Sequence, residues 1–274
     1  MSISKQFVDL PFGMIGYRKA GEEGPPIIFL HGIPTSSFLW RKVIDDLQHE
    51  FTCFAVDMLG YGDSDKAEGQ DLSIKAQVEY IAHWSEAVGL NEFHLVGHDI
   101  GGGVAQLLAL RHPEKIRRLV LIDTIAYDSW PVPDIDRLKD AQWDEILRSR
   151  DLRSGFRRAL EGGLSNKSIV TDEVLEGYVG PFLGKAGREA YLRCARGLKT
   201  NDLSDYSEEI EGLLNPTLLL WGQHDQYQEL KYGERLSNAL ANHQLEVCPN
   251  GSHFLPEDQP GWVGEKIRSF LANS

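Results

Sequence analysis

The sequence predicts an α/β fold, a mostly parallel central sheet with helices on both faces and a helical insertion at one end. Two observations carry this. Short apolar runs alternate with helical patterns along most of the 274 residues, as in parallel sheets covered on both sides. Between about Ala126 and Asn215 the alternation stops, and charged helical patterns appear without a convincing strand.

The strand runs, in order, are Pro26–His31, Phe51–Asp57, Phe93–His98, Arg118–Asp123, Pro216–Gly222 and Gln244–Pro249. They are short, and most are rich in branched or aromatic residues, which suits strands buried on both faces. Phe7–Leu10 and Met14–Lys19 predict an antiparallel hairpin ahead of them. Leu39, Val43, Ile44 and Leu47 share a helical face after the capping candidates Ser36 and Ser37. Ile74, Val78, Ile81 and Val88 repeat that spacing, with Gly89 suited to the position just past the helix end. A last helix is expected over Trp262–Leu271, after Pro260.

Helical patterns within the insertion cover Asp134–Arg150, Asp172–Gly180 and Gly187–Leu198. Lying between two strands, the insertion reads as a cap over the carboxyl ends of the sheet, where open α/β sheets bind their ligands. The expected division is a core of residues 1–126 and 206–274 and a cap of residues 127–205.

Net charge is 28 − 41 = −13, which repels phosphate backbones and anionic membranes. Neither nucleic acid nor a membrane is therefore an expected partner. No apolar run reaches the ~18 residues of a spanning helix, and Met1–Gly13 lacks the apolar stretch of a signal peptide. Cys53, Cys194 and Cys248 are too sparse for a disulfide framework or a metal site. Reduced thiols, and with them a cytoplasmic location, are expected.

Gly97-His98-Asp99-Ile100-Gly101 follows a strand run and precedes the helical Val104–Leu110. Glycines two before and two after a residue permit a sharp strand-to-helix turn that projects the central side chain at the top of the sheet. The helix N-terminus behind it supplies N–H groups and partial positive charge. Asp99 is the candidate nucleophile.

Further landmarks come in order: His31-Gly32-Ile33-Pro34, then Asp57-Met58-Leu59-Gly60-Tyr61-Gly62-Asp63-Ser64, the Asp99 motif, Trp221-Gly222-Gln223-His224-Asp225, and Gly251-Ser252-His253-Phe254. The set resembles the α/β-hydrolase superfamily over nearly the whole chain, in its aspartate-nucleophile branch of epoxide hydrolases and haloalkane dehalogenases. The resemblance implies His253 as the base and Asp225 as its orienting acid, since nucleophile, acid and histidine follow that order in this fold. Asp123, at the end of the run Leu119–Ile122, is the alternative acid, because one dehalogenase subfamily carries its acid there. Backbone N–H groups of Ile33 and Ile100 are the expected oxyanion-hole donors, with His31 ordering the donor loop. His98 and His224 are expected to be structural.

A carboxylate nucleophile narrows the chemistry. With an ordinary pKa near ~4, it is ionised at neutral pH and attacks without a base. Attack on an ester would give a high-energy anhydride, whereas attack on a saturated carbon gives an ordinary alkyl ester. His253 would then activate the water that hydrolyses that ester. The scheme needs no cofactor and no metal, only a small apolar organic substrate and water.

The leaving group separates the two branches. Dehalogenases of the resemblance usually hold halide with a Trp just after the nucleophile and often an Asn after the His-Gly pair. Here those positions are Ile100 and Ile33, and the Arg of the fluoroacetate-cleaving branch is also absent. An epoxide oxygen instead leaves as an alkoxide and needs an acid, which the family supplies as a cap Tyr. Tyr191 is the first candidate and Tyr178 the second, with Tyr206 and the early Tyr127 also present. Trp130 and Trp143 are candidates to line the pocket or donate an indole N–H. The sequence favours an epoxide hydrolase. The alternatives are a haloalkane dehalogenase with an atypical halide site, an ester or carbon–carbon bond hydrolase, and last a non-catalytic binding protein.

Overall fold

A computed structural model describes residues 3–149 and 151–272. Its eight strands are β1 (Ser4–Leu10), β2 (Gly13–Ala20), β3 (Pro26–Leu30), β4 (Thr52–Val56), β5 (Phe93–His98), β6 (Ile116–Ile122), β7 (Thr217–Gly222) and β8 (His243–Cys248). They form one sheet in the order β1-β2-β4-β3-β5-β6-β7-β8. The first hairpin pairs antiparallel within itself and onto β4, and all other pairings are parallel. Every expected strand is present, with no end moved by more than two residues except the start of β1, which lies three residues earlier.

Helices cover both faces because the connections are crossovers. Ser73 caps Ile74–Ala87 by accepting from the Ala76 N–H, and Gly89 follows with φ +78°. Ser36 caps a short 3-10 turn, Ser37–Trp40, which runs into the helix Arg41–Leu47. The last helix, Pro260–Ala272, begins on the proline rather than after it, as a residue with no N–H permits in a first turn. Strands β5 and β7 are buried at every residue, so the core lies on both sides of the sheet centre.

Between β6 and β7 the described residues form helices and turns and no strand. The pattern expected over Asp134–Arg150 is divided. A short helix, Pro133–Asp136, is followed by a 3-10 turn and then by Gln142–Ser149. The Asp140 carboxylate accepts the Gln142 N–H at 2.9 Å, a local bond that competes with helix continuation. Arg150 lies outside the described residues. A further helix, Leu152–Gly162, was not anticipated, and Asp151 caps it. The other two expected helices are Asp172–Val179 and Gly184–Gly197. No described helix is long and apolar enough to cross a membrane. The three cysteines are free and buried.

Candidate active site

The site begins where β5 ends. Asp99 has φ +51° and ψ −121°, a region that non-glycine residues rarely occupy and that must be enforced by surrounding structure. The glycines enforce it by permitting close approach. A Cβ on Gly97 would lie 2.5 Å from the Gly101 carbonyl oxygen, and one on Gly101 would lie 2.4 Å from those of Leu30 and His31. The helix Ile100–Arg111 therefore packs its first turn directly onto the sheet, and the Asp99 side chain projects from the turn.

The Asp99 carboxylate is held from two directions. Its Oδ2 accepts the Ile33 N–H at 2.9 Å, and the Ile100 N–H bonds the same carboxylate. His31 orders the first donor. Its Nε2 accepts the Met58 N–H at 3.1 Å, so its Nδ1 carries the proton and donates to the Gly32 carbonyl at 2.8 Å. The Asp57–Ser64 landmark is a scaffold nearby: Asp57 accepts the backbone N–H groups of Ser37 and Asp63.

His253 and Asp225 meet as expected. The His253 Nδ1–H donates to Asp225 Oδ2 at 3.0 Å. Asp225 Oδ1 accepts the N–H groups of Tyr227 at 2.7 Å and Gln228 at 2.8 Å. That turn, in which an aspartate accepts from residues two and three ahead, orients the acid from its own loop. His98 is structural: its Nε2–H donates to the His253 carbonyl at 2.8 Å, and its ring stands 4.9 Å from that of His253.

Burial raises the Asp99 carboxyl to a pKa of about 6, against the opposing pull of His253 and the Ile33 and Ile100 N–H groups. Burial alone would lower His253, but the charge and hydrogen bond of Asp225, with the charge of Asp99, outweigh it and raise the imidazole above its ordinary value. His98 is driven well below the ordinary range, first by burial and then by His253.

Asp123, the alternative acid, is corrected by this geometry. Histidine has Asp225, whereas Asp123 Oδ1 accepts the Gly222 N–H at 2.7 Å. Asp123 sits behind Asp225, in hydrogen-bonding contact with its carboxyl.

A cavity of about 300 Å³ opens above Asp99, at the small end of the range for small-molecule sites. Its walls join the strand ends, through Ile33, Asp99, Ile100 and His253, to the helical segment, through Trp130, Leu138, Phe156 and Tyr191. Tyr191 packs its ring against Phe156 and Phe182, and its hydroxyl has no hydrogen-bond partner among the described residues. Burial raises its pKa, so it remains a proton donor.

Tyr178 is a second correction. It is fully buried outside the cavity lining, and its hydroxyl donates to Glu257 at 2.8 Å. That carboxylate also receives Arg41 and Lys42, so Tyr178 ties the helical segment to the core. Tyr206 lies under Lys75 and Tyr127 bonds Glu211, and neither lines the cavity. Trp130 and Trp143 both do, and the buried Trp130 indole N–H has no partner among the described residues. Sequence reasoning missed Tyr227, Gln228 and Phe254 as lining residues. The first two had a signal, since they directly follow the expected acid Asp225 in the chain.

A family profile described as alpha/beta hydrolase fold matches residues 25–260. The chain is 29% identical over 276 residues to haloalkane dehalogenase 2 of Mycobacterium tuberculosis, covering 96% of this chain and 93% of that protein. It is 28% identical over 286 residues to epoxide hydrolase 4 of Mus musculus, covering 93% and 75%. The solved structure of the epoxide hydrolase CorEH superposes with a TM-score of 0.87 at 23% identity, covering 99% of each chain. With the strand-to-helix turn, the His253–Asp225 pair and the sheet order already in place, the chain belongs to the α/β-hydrolase family of enzymes.

Proposed function

We propose that this hydrolase opens small epoxides to diols through a covalent ester on Asp99, with residues 127–205 serving as the cap. The observation that carries the reading is the pairing, in one cavity, of the Asp99 carboxylate with the unpartnered Tyr191 phenol. In the first step, the Asp99 oxygen not held by Ile33 attacks a ring carbon. The carbon–oxygen bond breaks, and Tyr191 gives its proton to the departing alkoxide.

Ester formation removes the Asp99 charge, which had helped to raise His253. The imidazole then loses its proton more readily and becomes the base for the second step. It takes a proton from water as the water oxygen attacks the ester carbonyl. The oxyanion that forms lies where Ile33 and Ile100 N–H groups already point, so their dipoles need no rearrangement. Collapse passes one water proton, held by His253, to the departing alkoxide and the other to Tyr191, which releases the diol and restores the carboxylate. No cofactor enters the scheme, and the expected setting is the cytoplasm.

A second reading rests on Trp130. Trp130 lines the cavity, and its buried indole N–H has no partner among the described residues; such a donor suits halide, which would make the enzyme a haloalkane dehalogenase with its halide site in the cap. The test is a panel of epoxides, bromoalkanes and aryl esters, scored for diol, halide and phenol. Diol alone is expected. Halide release with epoxides untouched overturns the first reading for the second, and phenol as the main product overturns both.

A further inference from the structure

We infer that Asp123 is a positioning residue that holds a proton and donates it to Asp225, so that the acid behind His253 is a pair of carboxyls sharing one negative charge. The inference deepens the proposed function and rests on His253 and Asp225 being its water-activating pair.

The two carboxyls are buried together at the ends of adjacent strands. Asp123 is 0% exposed and Asp225 7%, and the side chains are in hydrogen-bonding contact. Two buried carboxylates in contact do not both ionise, because neither solvent nor a cation separates the charges. The surroundings decide which keeps the proton. Asp225 accepts three N–H groups, from His253, Tyr227 and Gln228. Asp123 accepts one, from Gly222, and its Oδ2 has no donor among the described residues. A buried carboxylate oxygen without a donor is costly, whereas a carboxyl O–H facing Asp225 is satisfied. The proton therefore belongs to Asp123.

Its surroundings agree. Burial first, and then the Asp225 charge, push the Asp123 carboxyl well above the ordinary carboxylate range. The other titratable group bearing on it is Cys248, at the end of β8. On the far side of Asp225, His253 faces Asp99 and the neutral His98. The backbone of Asp123 stands at φ +42°, a conformation outside the usual range for a non-glycine residue, like that of Asp99.

The consequence falls on His253. A hydrogen bond from Asp123 draws charge away from Asp225 and moderates its pull on the imidazole. Without it, Asp225 would hold the His253 proton more tightly, and a base that holds its proton is lost to water activation.

The test uses the ligand-free protein, so its failure is separable from failure of the epoxide reading, which only the substrate panel decides. Infrared spectroscopy at pH 8, where Asp99 is ionised, should show the carbonyl stretch of one buried carboxylic acid, absent from Asp123→Asn. NMR titration of the His253 ring should give the same midpoint in Asp123→Asn as in the wild type, because the amide keeps both the donor and the neutral charge. Asp123→Leu, of similar size but without a donor, should raise that midpoint. If Leu does not fold, the Asn variant and the infrared band suffice. Absence of the band, its persistence in Asp123→Asn, or a fall of about one unit in the His253 midpoint in that variant, as loss of a neighbouring negative charge would give, overturns the inference.

Discussion

Asp99 and Tyr191 line one cavity but are held by different means. Asp99 is fixed by backbone: a strained turn between two glycines, two N–H groups on its carboxylate, and β3 pressed against the helix behind it. His253 and Asp225 are fixed in the same way, by strand ends and turn N–H groups. Tyr191 is held by packing of its ring against Phe156 and Phe182. The helix segment around it is stitched by exposed ion pairs, Arg148 with Glu189 and Arg153 with Glu176, and such pairs contribute little. Gln142–Ser149 has no fully buried residue. Asp99, His253 and Asp225 are thus held independently of the helical segment, and side chains of that segment can be exchanged without disturbing the backbone that holds them. If so, core substitutions should remove chemistry for every substrate, and cap substitutions should discriminate between substrates.

The largest effect belongs to Asp99. Asp99→Asn should cut turnover of every substrate by about 10⁴-fold or more, the scale of losing a nucleophile. It should also stabilise the fold at neutral pH. The native carboxyl titrates near 6 and the unfolded one near ~4, so the native state holds its proton over a range where the unfolded state has lost it. Stability therefore falls as pH rises from about 4 to about 6 and stays reduced above, by about 3 kcal/mol for ~2 units. The gain in Asp99→Asn should appear at pH 7 in denaturant titrations and vanish below pH 4. A variant that loses stability at pH 7 would mean that the turn depends on the charge.

His253→Gln should still form the ester but not release it, so the protein should gain the mass of the substrate in intact mass spectrometry. Steady turnover should fall by about 10²–10⁴-fold, the usual worth of a general base. A single turnover in heavy-oxygen water should label Asp99 rather than the diol. The two steps should also part with pH: alkylation fails as pH falls through about 6, where Asp99 becomes protonated, whereas release fails where His253, relieved of the Asp99 charge in the ester, gains its proton. Coincident acid limbs for the two steps would break the assignment of separate groups to them.

On the cap side, Tyr191→Phe should slow epoxide opening by about 10²–10⁴-fold and leave ester hydrolysis on Asp99 unaffected, since the ring still packs. Trp130→Phe should have the reverse selectivity, acting on halide release if that activity exists. Equal losses for epoxides and bromoalkanes in Tyr191→Phe would show the residue to be a packing element and erase the contrast between the regions.

The smallest effect is expected where the regions join. Tyr178→Phe removes one hydrogen bond to the buried Glu257, which keeps Arg41 and Lys42. A bond to a charged group is worth about 1.5–3 kcal/mol, so the melting temperature should fall while epoxide kinetics change little. A large loss of turnover would make this junction part of the cavity's geometry rather than a tie.

Sequence alone determined the parts whose constraints are local. Gly97 and Gly101 around Asp99 declare a turn that only glycines can make, and the apolar runs of β5 and β7 declare strands buried on both faces. The order of Asp99, Asp225 and His253 was legible because each follows a strand whose end the sheet brings to one edge. The tertiary structure decided what depends on neighbours distant in the chain. Tyr191 and Tyr178 lie in similar helical patterns, yet one faces the cavity and the other meets Glu257, 79 residues away. Asp123 and Asp225 both follow strands, and only the register of β6 against β7 shows one lying behind the other. Backbone rules act over a few residues and can be read from them. Which side chain receives a given proton or partner is settled by packing across the whole fold, and no short stretch of sequence contains it.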